Sequence, residues 1–546
     1  MCKSNPYNIY IAQPFWCKMN ISRDLVRQIY REYLGSQNMV ILSRSKAIAY
    51  IRPIVEKLQQ ELLNWITSSG TTETIKSLYD IFDKCFALYI EEKKIRLQMV
   101  KQNIRYEDIL NQYSYNRNIA INVMNSVNLW LENAVLHQKS AKYTETSESH
   151  LYYDQLFIKL YLYGLSSKTL SLLSLSKKFG EKELFYGIRV SLEQDEPIDV
   201  LRDHPVIYYN PAIAGNQDVF KLSADDYKHC DSSSFGIGFQ KEYGLSLLLS
   251  MKLLTSFQKK LLKRGKHPYK IIDKSYFFKL IKKYSYGKMD PQQFYNTFAL
   301  TKEKISSQLR NNESIVWLMG TNAYRHELCP FICLNNKIII SYCALEQSKN
   351  IWLSYFANGG MIYTTQKDHL TAAIEQRNSE LSEILVEKIK NLLNIQYQAD
   401  FDGINIKYDV IFGHQSLDYG DYDIVFYTKD TNELFLVEAK FFSDSLNNSG
   451  MINDYQKIFE KNGYYDHCKN RYNLVIREAQ AMKDFIGATD DINVHFLFVS
   501  SKPLEIEFTD KDGIVSFPCF SILEDYLKGN LISEDGSSII RPSITI

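Results

Sequence analysis

The 546-residue sequence predicts an α/β chain: a largely helical N-terminal region, a mixed α+β middle region, and a C-terminal sheet covered by helices. Three observations carry this expectation. Ile54–Ile66 and Thr74–Met99 contain no Pro or Gly and repeat apolar residues at three- and four-residue spacing, the helical period. Short apolar runs at Ile424–Phe426, Leu434–Val437 and Val494–Val499 have the length and the β-branched and aromatic content of buried strands. Helical patterns stand before and between those runs, so each strand arrives with a helix able to cover it.

In chain order, residues 1–150 read as the mainly helical region, and polar Thr144–His150 as its exit. Residues 151–360 are mixed, with loops marked by Gly, Pro and Asn around Asp203–Gly215. Cys329–Cys333 and Lys337–Ile340 form a hairpin turning near Asn335–Asn336. Gly359–Gly360 reads as a flexible joint before a last domain at 379–546. That domain opens with a helix near Asn378–Ser379, whose apolar stripe includes Leu381, Ile384, Leu385 and Ile389. A strand follows around Ile404–Phe412, then the strands Asp421–Tyr427 and Glu433–Lys440. A helix near Tyr472–Phe485 covers one face, Val494–Val499 is a central strand, Ile514–Phe517 an edge strand, and Phe520–Leu527 the final helix.

Composition bounds the function. A net charge of +1 argues against a globally basic nucleic-acid binder but leaves room for local patches. No run of 18 apolar residues is present, and the N-terminus lacks an apolar run with a cleavage site, so neither membrane nor secretory signal is expected. Nine scattered cysteines read as reduced thiols in a cytoplasmic protein. His326, Cys329, Cys333 and Cys343 are too loosely spaced for a zinc site and read as buried side chains of a small sheet. No GxxxxGK[ST] loop and no methyltransferase motif occurs, so any motor or methylation would need another subunit.

Residues 252–290 hold eleven Lys and one Arg against Asp273 and Asp290 alone, with six Tyr and Phe interleaved from Tyr269 to Tyr286. Lys259, Lys260, Lys263, Arg264, Lys266, Lys282 and Lys283 are candidates for neutralising nucleic-acid phosphates. Nothing in the stretch specifies bases.

The hairpin of the last domain carries the chemistry. With Lys429–Asn432 as its loop, residues paired across the strands set Asp423 directly opposite Glu438. Strand alternation puts Lys440 on the same face as Glu438. Two carboxylates about 5 Å apart can share one small divalent cation, and their hard oxygens favour Mg²⁺. Lys440 would position the attacking water or balance transition-state charge, which suits phosphodiester hydrolysis.

Asp423…Glu438-Ala-Lys440 resembles the D…(D/E)-x-K signature of the restriction-endonuclease-like superfamily, the PD-(D/E)xK nucleases, with Tyr422 standing where many members carry proline. The resemblance implies a mixed central sheet flanked by helices, Mg²⁺ or Mn²⁺, and cleavage of DNA. Members often add a carboxylate from the preceding helix, for which Glu383 is the first choice, followed by Glu380 and Glu387. Some place a Gln on the next helix. Gln456 resembles it, with Tyr464 or Tyr465 downstream and Lys457 and Lys461 near enough in sequence to meet phosphates. The expected ligand set is Asp423, Glu438 and Glu383, and the expected function is a metal-dependent DNA endonuclease in restriction or other anti-invader defence. A homodimer or a further defence subunit would be its partner. The alternatives are an inactive DNA-binding or assembly module and a structure-specific repair nuclease.

Overall fold

A computed structural model describes residues 13–101, 107–137, 150–176, 178–179, 182–202, 224–261, 269–308, 325–359, 368–443, 448–502, 513–530 and 543–546. The N-terminal region is helical as expected. The antiparallel strand β1 (Met39–Ile41) precedes α1 (Arg44–Ser68), α2 (Thr71–Lys101), α3 (Glu107–Leu136) and α4 (His150–Leu175), and β2 (Phe185–Val190) and β3 (Ile198–Arg202) complete a small sheet with β1. Large apolar side chains such as Trp16, Trp130, Tyr79 and Tyr161 are fully buried here, and Tyr79 packs on Tyr269 and His326 of the middle region, so the core is continuous between the two.

The middle region contains α5 (Ser234–Tyr243), α6 (Leu247–Lys260), β4 (Tyr269–Asp273), α7 (Lys274–Tyr284), α8 (Pro291–Phe298), β5 (Ala299–Leu300), β6 (Phe331–Leu334), β7 (Lys337–Ser341) and α9 (Tyr342–Asn358). Its helices start where the sequence offers caps. Ser246 accepts from the Leu249 N–H, Ser341 from Ala344, and Asp290 from Gln293 beside Pro291 at the first turn. The strands order as β4-β7-β6-β5, and the β6–β7 hairpin turns at Asn335, whose φ of 52° suits a two-residue loop. Cys329, Cys333 and Cys343 are buried, and no described cysteine is in a disulfide. Buried His326 is held by Tyr79 Oη at 2.9 Å and Asn128 Oδ1 at 2.7 Å. Burial drives its pKa down to about 3, so it is a neutral member of a buried polar network.

The last part comprises α10 (Asp368–Gln396), β8 (Phe401–Lys407), α11 (Tyr408–Phe412), β9 (Asp421–Thr428), β10 (Glu433–Lys440), α12 (Asn448–Phe459), α13 (Tyr464–Arg477), α14 (Ala479–Ile486), β11 (Asn493–Ser500), β12 (Val515–Ser516), α15 (Phe520–Leu527) and β13 (Ile544–Thr545). The sheet runs β8-β9-β10-β11-β12, with β13 also on β11. The β8–β9 and β9–β10 pairs are antiparallel, whereas β10–β11 and β11–β12 are parallel, so the sheet is mixed and the α/β class holds. The parallel step requires a long crossover, and α12, α13 and α14 supply it.

Four boundaries differ from the sequence reading. The helix expected near Asn378 begins at Asp368. Its first half belongs to the middle region, where Arg377 Nε donates to the Phe356 carbonyl at 2.9 Å and Gly238 of α5 lies against Ala373. The strand expected to reach Phe412 stops at Lys407, because residues 408–412 close one helical turn that ends at Gly413 with φ 68°. The helix expected over 472–485 is two helices that meet at Glu478, which leaves the helical region at φ −113°, ψ 39°. Gly359, read as a joint, sits at φ 62° pressed against Asn378 and Phe441, so a close approach rather than looseness explains it. Among the described residues no helix is long and apolar enough to cross a membrane.

Candidate functional site

The site is built at the ends of β9 and β10, whose interiors are buried on both faces. Ile424 pairs with Val437 and Phe426 with Phe435, the register the turn at Lys429–Asn432 dictates, and Asn432 at φ 51° closes that turn. Extending the register puts Asp423 opposite Glu438. The ladder is interrupted there. Tyr422 pairs with Ile406 and Ile424 with Ile404, but across from Asp423 stands Asn405 at φ 53°. The Asp423 carboxylate itself takes the Ala439 N–H, at 2.6 Å to Oδ2. A side chain thus replaces a backbone acceptor and locks Asp423 against β10.

Lys440 joins the two acids. Its Nζ lies 2.6 Å from Glu438 Oε1 and 3.5 Å from Asp423 Oδ2, and 5.4 Å above the Tyr464 ring. The fourth charge is Arg471 of α13, which the sequence reading missed. Its Nη1 donates to Glu438 Oε2, and its Nε donates to the Tyr419 carbonyl at 2.7 Å. Its guanidinium also lies 5.6 Å from the Tyr422 ring centre. Tyr464, Cys468 and Arg471 follow one another at helical spacing, so one face of α13 roofs the site.

The electrostatics follow from burial and neighbours. Asp423, 14% exposed, is pushed up to about 6 by burial and then by the Glu438 charge, against the pull of Lys440 and the Ala439 N–H. Burial also acts to raise Glu438, but Lys440 and Arg471 outweigh it and hold the carboxyl below its usual range. Burial acts to lower Lys440, and the two carboxylates outweigh it, so the ammonium is held more firmly protonated than a free lysine. Cys468, buried beside these groups, is pushed up by burial and stays a thiol.

Asp423 and Glu438 are the residues able to hold a divalent cation. They offer hard carboxylate oxygens at one point, and an Asp423 driven upward by burial beside a second carboxylate is a group that a cation would relieve. The donor set therefore fits Mg²⁺ or Mn²⁺, although among the described residues no cluster of three or more His, Cys, Asp and Glu forms. Glu383 is not brought to the pair. It is exposed on α10, whose C-terminal end packs through Tyr397 on Phe435, on the face of β10 opposite Glu438. Glu380 is engaged by Arg377 at 2.7 Å, and Glu387 is exposed. Gln456 donates to Glu460 at 2.9 Å along α12. Lys457 and Lys461 are exposed near it, and Asp454 is tied to Lys502 at 3.0 Å, which fixes α12 beside the end of β11. Of the basic stretch, Lys259, Lys260, Lys282 and Lys283 are exposed, while Lys263, Arg264 and Lys266 lie outside the described residues.

Arg471 had a faint signal in the sequence. It occupies a stripe position between Cys468 and Val475 that an amphipathic helix normally gives to an apolar residue. A charge at such a position needs a buried partner. The chain matches no protein-family model, and neither a curated protein nor a solved structure matches it at a significant level.

Proposed function

We propose that the C-terminal part of this chain is a metal-dependent deoxyribonuclease that hydrolyses phosphodiester bonds as an endonuclease. The supporting observation is the convergence of Asp423, Glu438 and Lys440 at the end of two strands whose interiors, Ile424–Tyr427 and Leu434–Val437, are buried and without charge. Burying these charges costs the fold several kcal/mol per ion before their mutual attraction is counted. An apolar trio would pack there without that cost, so a chemical use accounts for them better than packing does.

Asp423 and Glu438 would hold Mg²⁺ or Mn²⁺, which when bound supplies charge to the phosphoryl oxygens and acidifies a water. Arg471 fixes the rotamer of Glu438, and the Ala439 N–H fixes that of Asp423. Without metal, the two carboxylates hold Lys440 protonated. Its part is to hold its proton and direct N–H donors at an anionic oxygen. The exposed Lys259, Lys260, Lys282 and Lys283, with Lys457 and Lys461, would meet DNA phosphates. Cutting both strands of a duplex calls for two sites or two encounters, which is the ground for proposing a homodimer. Restriction or other anti-invader defence in the cytoplasm is proposed on the resemblance of the motif alone.

The test compares wild type with Glu438→Ala and Lys440→Ala on plasmid, linear duplex and single-stranded DNA, with Mg²⁺, Mn²⁺ and chelator. Cutting that requires metal and is lost in both variants is the expected result. Cutting that survives both substitutions would remove these residues from the active site. One observation favours a second reading, an inactive DNA-binding or assembly module: Lys440 and Arg471 already balance both carboxylates. Mn²⁺ titrated calorimetrically into wild type and Glu438→Ala separates the two, because the second reading has no metal uptake to lose.

A further inference from the structure

The basic stretch divides its aromatic residues between two environments. Phe277 is buried and packs on Phe257, Phe294 and Phe331 inside the middle region. Tyr276 and Tyr286 face outward, 48% and 82% exposed. On α7, Tyr276, Lys279 and Lys283 share the solvent face at helical spacing, Lys282 lies beside them, and Tyr286 stands in the turn just past the end of the helix. Lys279, Lys282 and Lys283 are exposed and have no acidic partner among the described residues. The acids of this stretch are engaged elsewhere: Asp273 pairs with Lys337 at 2.7 Å, and Asp290 caps α8.

Tyr286 is hard to explain by folding. It sits in the turn that closes α7, where the Gly287 N–H donates to the Lys282 carbonyl at 2.8 Å. Its φ is 53°, a left-handed conformation that costs a side chain with a Cβ and that Gly or Asn would adopt more cheaply. The ring gains little burial to offset this. Its described cation contact is Lys260 Nζ, 6.0 Å from the ring centre and also 5.1 Å from that of Tyr284. An aromatic ring held out in water with an ammonium group beside it, in a stretch of exposed lysines, suits unpaired bases, since every base has a face to stack and every nucleotide a phosphate to neutralise. A duplex keeps its base faces inside the stack and offers such a ring little.

We propose that Tyr286 and Tyr276, with Lys279, Lys282 and Lys283, form a stacking platform for single-stranded DNA. The choice of DNA as ligand rests on the nuclease reading, but the platform uses none of its catalytic residues.

The experiment uses the full chain carrying Glu438→Ala, in chelator, so that binding is read without cutting. Fluorescence anisotropy follows a labelled oligothymidine of about 20 nucleotides and a duplex of equal length over a range of salt. Adding Tyr276→Ala and Tyr286→Ala should weaken single-strand binding about tenfold or more and leave the salt dependence unchanged. Adding Lys282→Ala and Lys283→Ala should instead flatten the salt dependence by about one to two in slope. Wild-type affinity in the tyrosine variant, or a duplex that binds more tightly and responds equally to the tyrosines, would overturn the proposal. Both tyrosines are exposed, so a thermal melt matching that of the parent rules out unfolding as the cause. No metal-dependent cutting by the unsubstituted chain, with tyrosine-dependent single-strand binding retained, would refute only the nuclease reading, whereas cutting by that chain with no tyrosine-dependent binding would refute only this one.

Discussion

Replacing Asp423 by Asn should stabilise the metal-free protein, and only where the carboxyl would be charged. Asp423 is lifted from its ordinary 3.8 to about 6 by burial and by Glu438. A carboxyl that folding raises binds its proton more tightly in the folded state, so its favourable contribution is complete below 3.8 and gone above about 6. Above that pH the ionised group costs about 3 kcal/mol, at 1.36 kcal/mol per factor of ten. Relaxation and water entry in a metal-free site reduce this, so about 1–3 kcal/mol is the expected gain. Asn keeps an oxygen for the Ala439 N–H, so the anchor seen at 2.6 Å survives. The assay is thermal unfolding of the full chain in chelator at about pH 8 and about pH 4, reading the transition that carries the C-terminal sheet. A rise of several degrees at the higher pH and almost none at the lower is expected. Adding Mg²⁺ at the higher pH should invert the ranking, because wild type gains by binding the ion and the variant does not. A variant that is less stable at pH 8 without metal, or equally improved at pH 4, would refute the electrostatic argument.

Other perturbations test neighbouring parts of the structure. Arg471→Met leaves Glu438 buried with Lys440 alone and should cost about 3–5 kcal/mol in denaturant unfolding, with Arg471→Lys recovering part of it. If the nuclease reading holds, a folded Arg471→Lys protein should also cut more slowly at saturating Mg²⁺, since Lys cannot reach both Glu438 and the Tyr419 carbonyl with a fork of donors. Gly238→Ala brings a Cβ to 2.3 Å from that of Ala373, so α5 and α10 must separate, and about 1–3 kcal/mol should be lost in chemical denaturation. Arg325→Met strands fully buried Glu132 and should cost about 3–5 kcal/mol, a result that calorimetry of the full chain would read.

The sequence made the hairpin legible because three independent constraints agree there. The turn residues Lys429–Asn432 set the register, the alternation set the face, and charges inside apolar runs flagged positions that packing alone would not choose. The helices covering the sheet were legible in kind but not in extent. Asn378 and Ser379 look like a cap, yet Arg377 is held by the Phe356 carbonyl and the helix passes through them, a tertiary contact no local pattern records. The strand ending at Lys407 reads longer in the sequence because Tyr408–Phe412 is apolar enough to continue it, and Gly413 in a left-handed conformation marks the turn that ends it. Glu383 follows from the register of its own helix, which cannot say which face of the sheet that helix covers. Arg471 lies 33 residues beyond Glu438, and its role depends on a crossover that brings α13 over β10. Periodicity reports which side of a helix is buried, not what it is buried against.

The four charges of the site also have a consequence at long range. Asp423 and Glu438 alone would present two negative charges to any approaching polyanion, and repulsion would slow the encounter. Lys440 and Arg471, at salt-bridge distance, cancel them into a cluster of zero net charge whose field fades within a few ångströms. If the nuclease reading holds, these four groups would add little repulsion to an approaching nucleic acid, and its direction of approach would be set by charges elsewhere on the surface. Lys440→Met would uncover a net negative site. Its signature would be an association rate that rises with added salt where that of the parent falls.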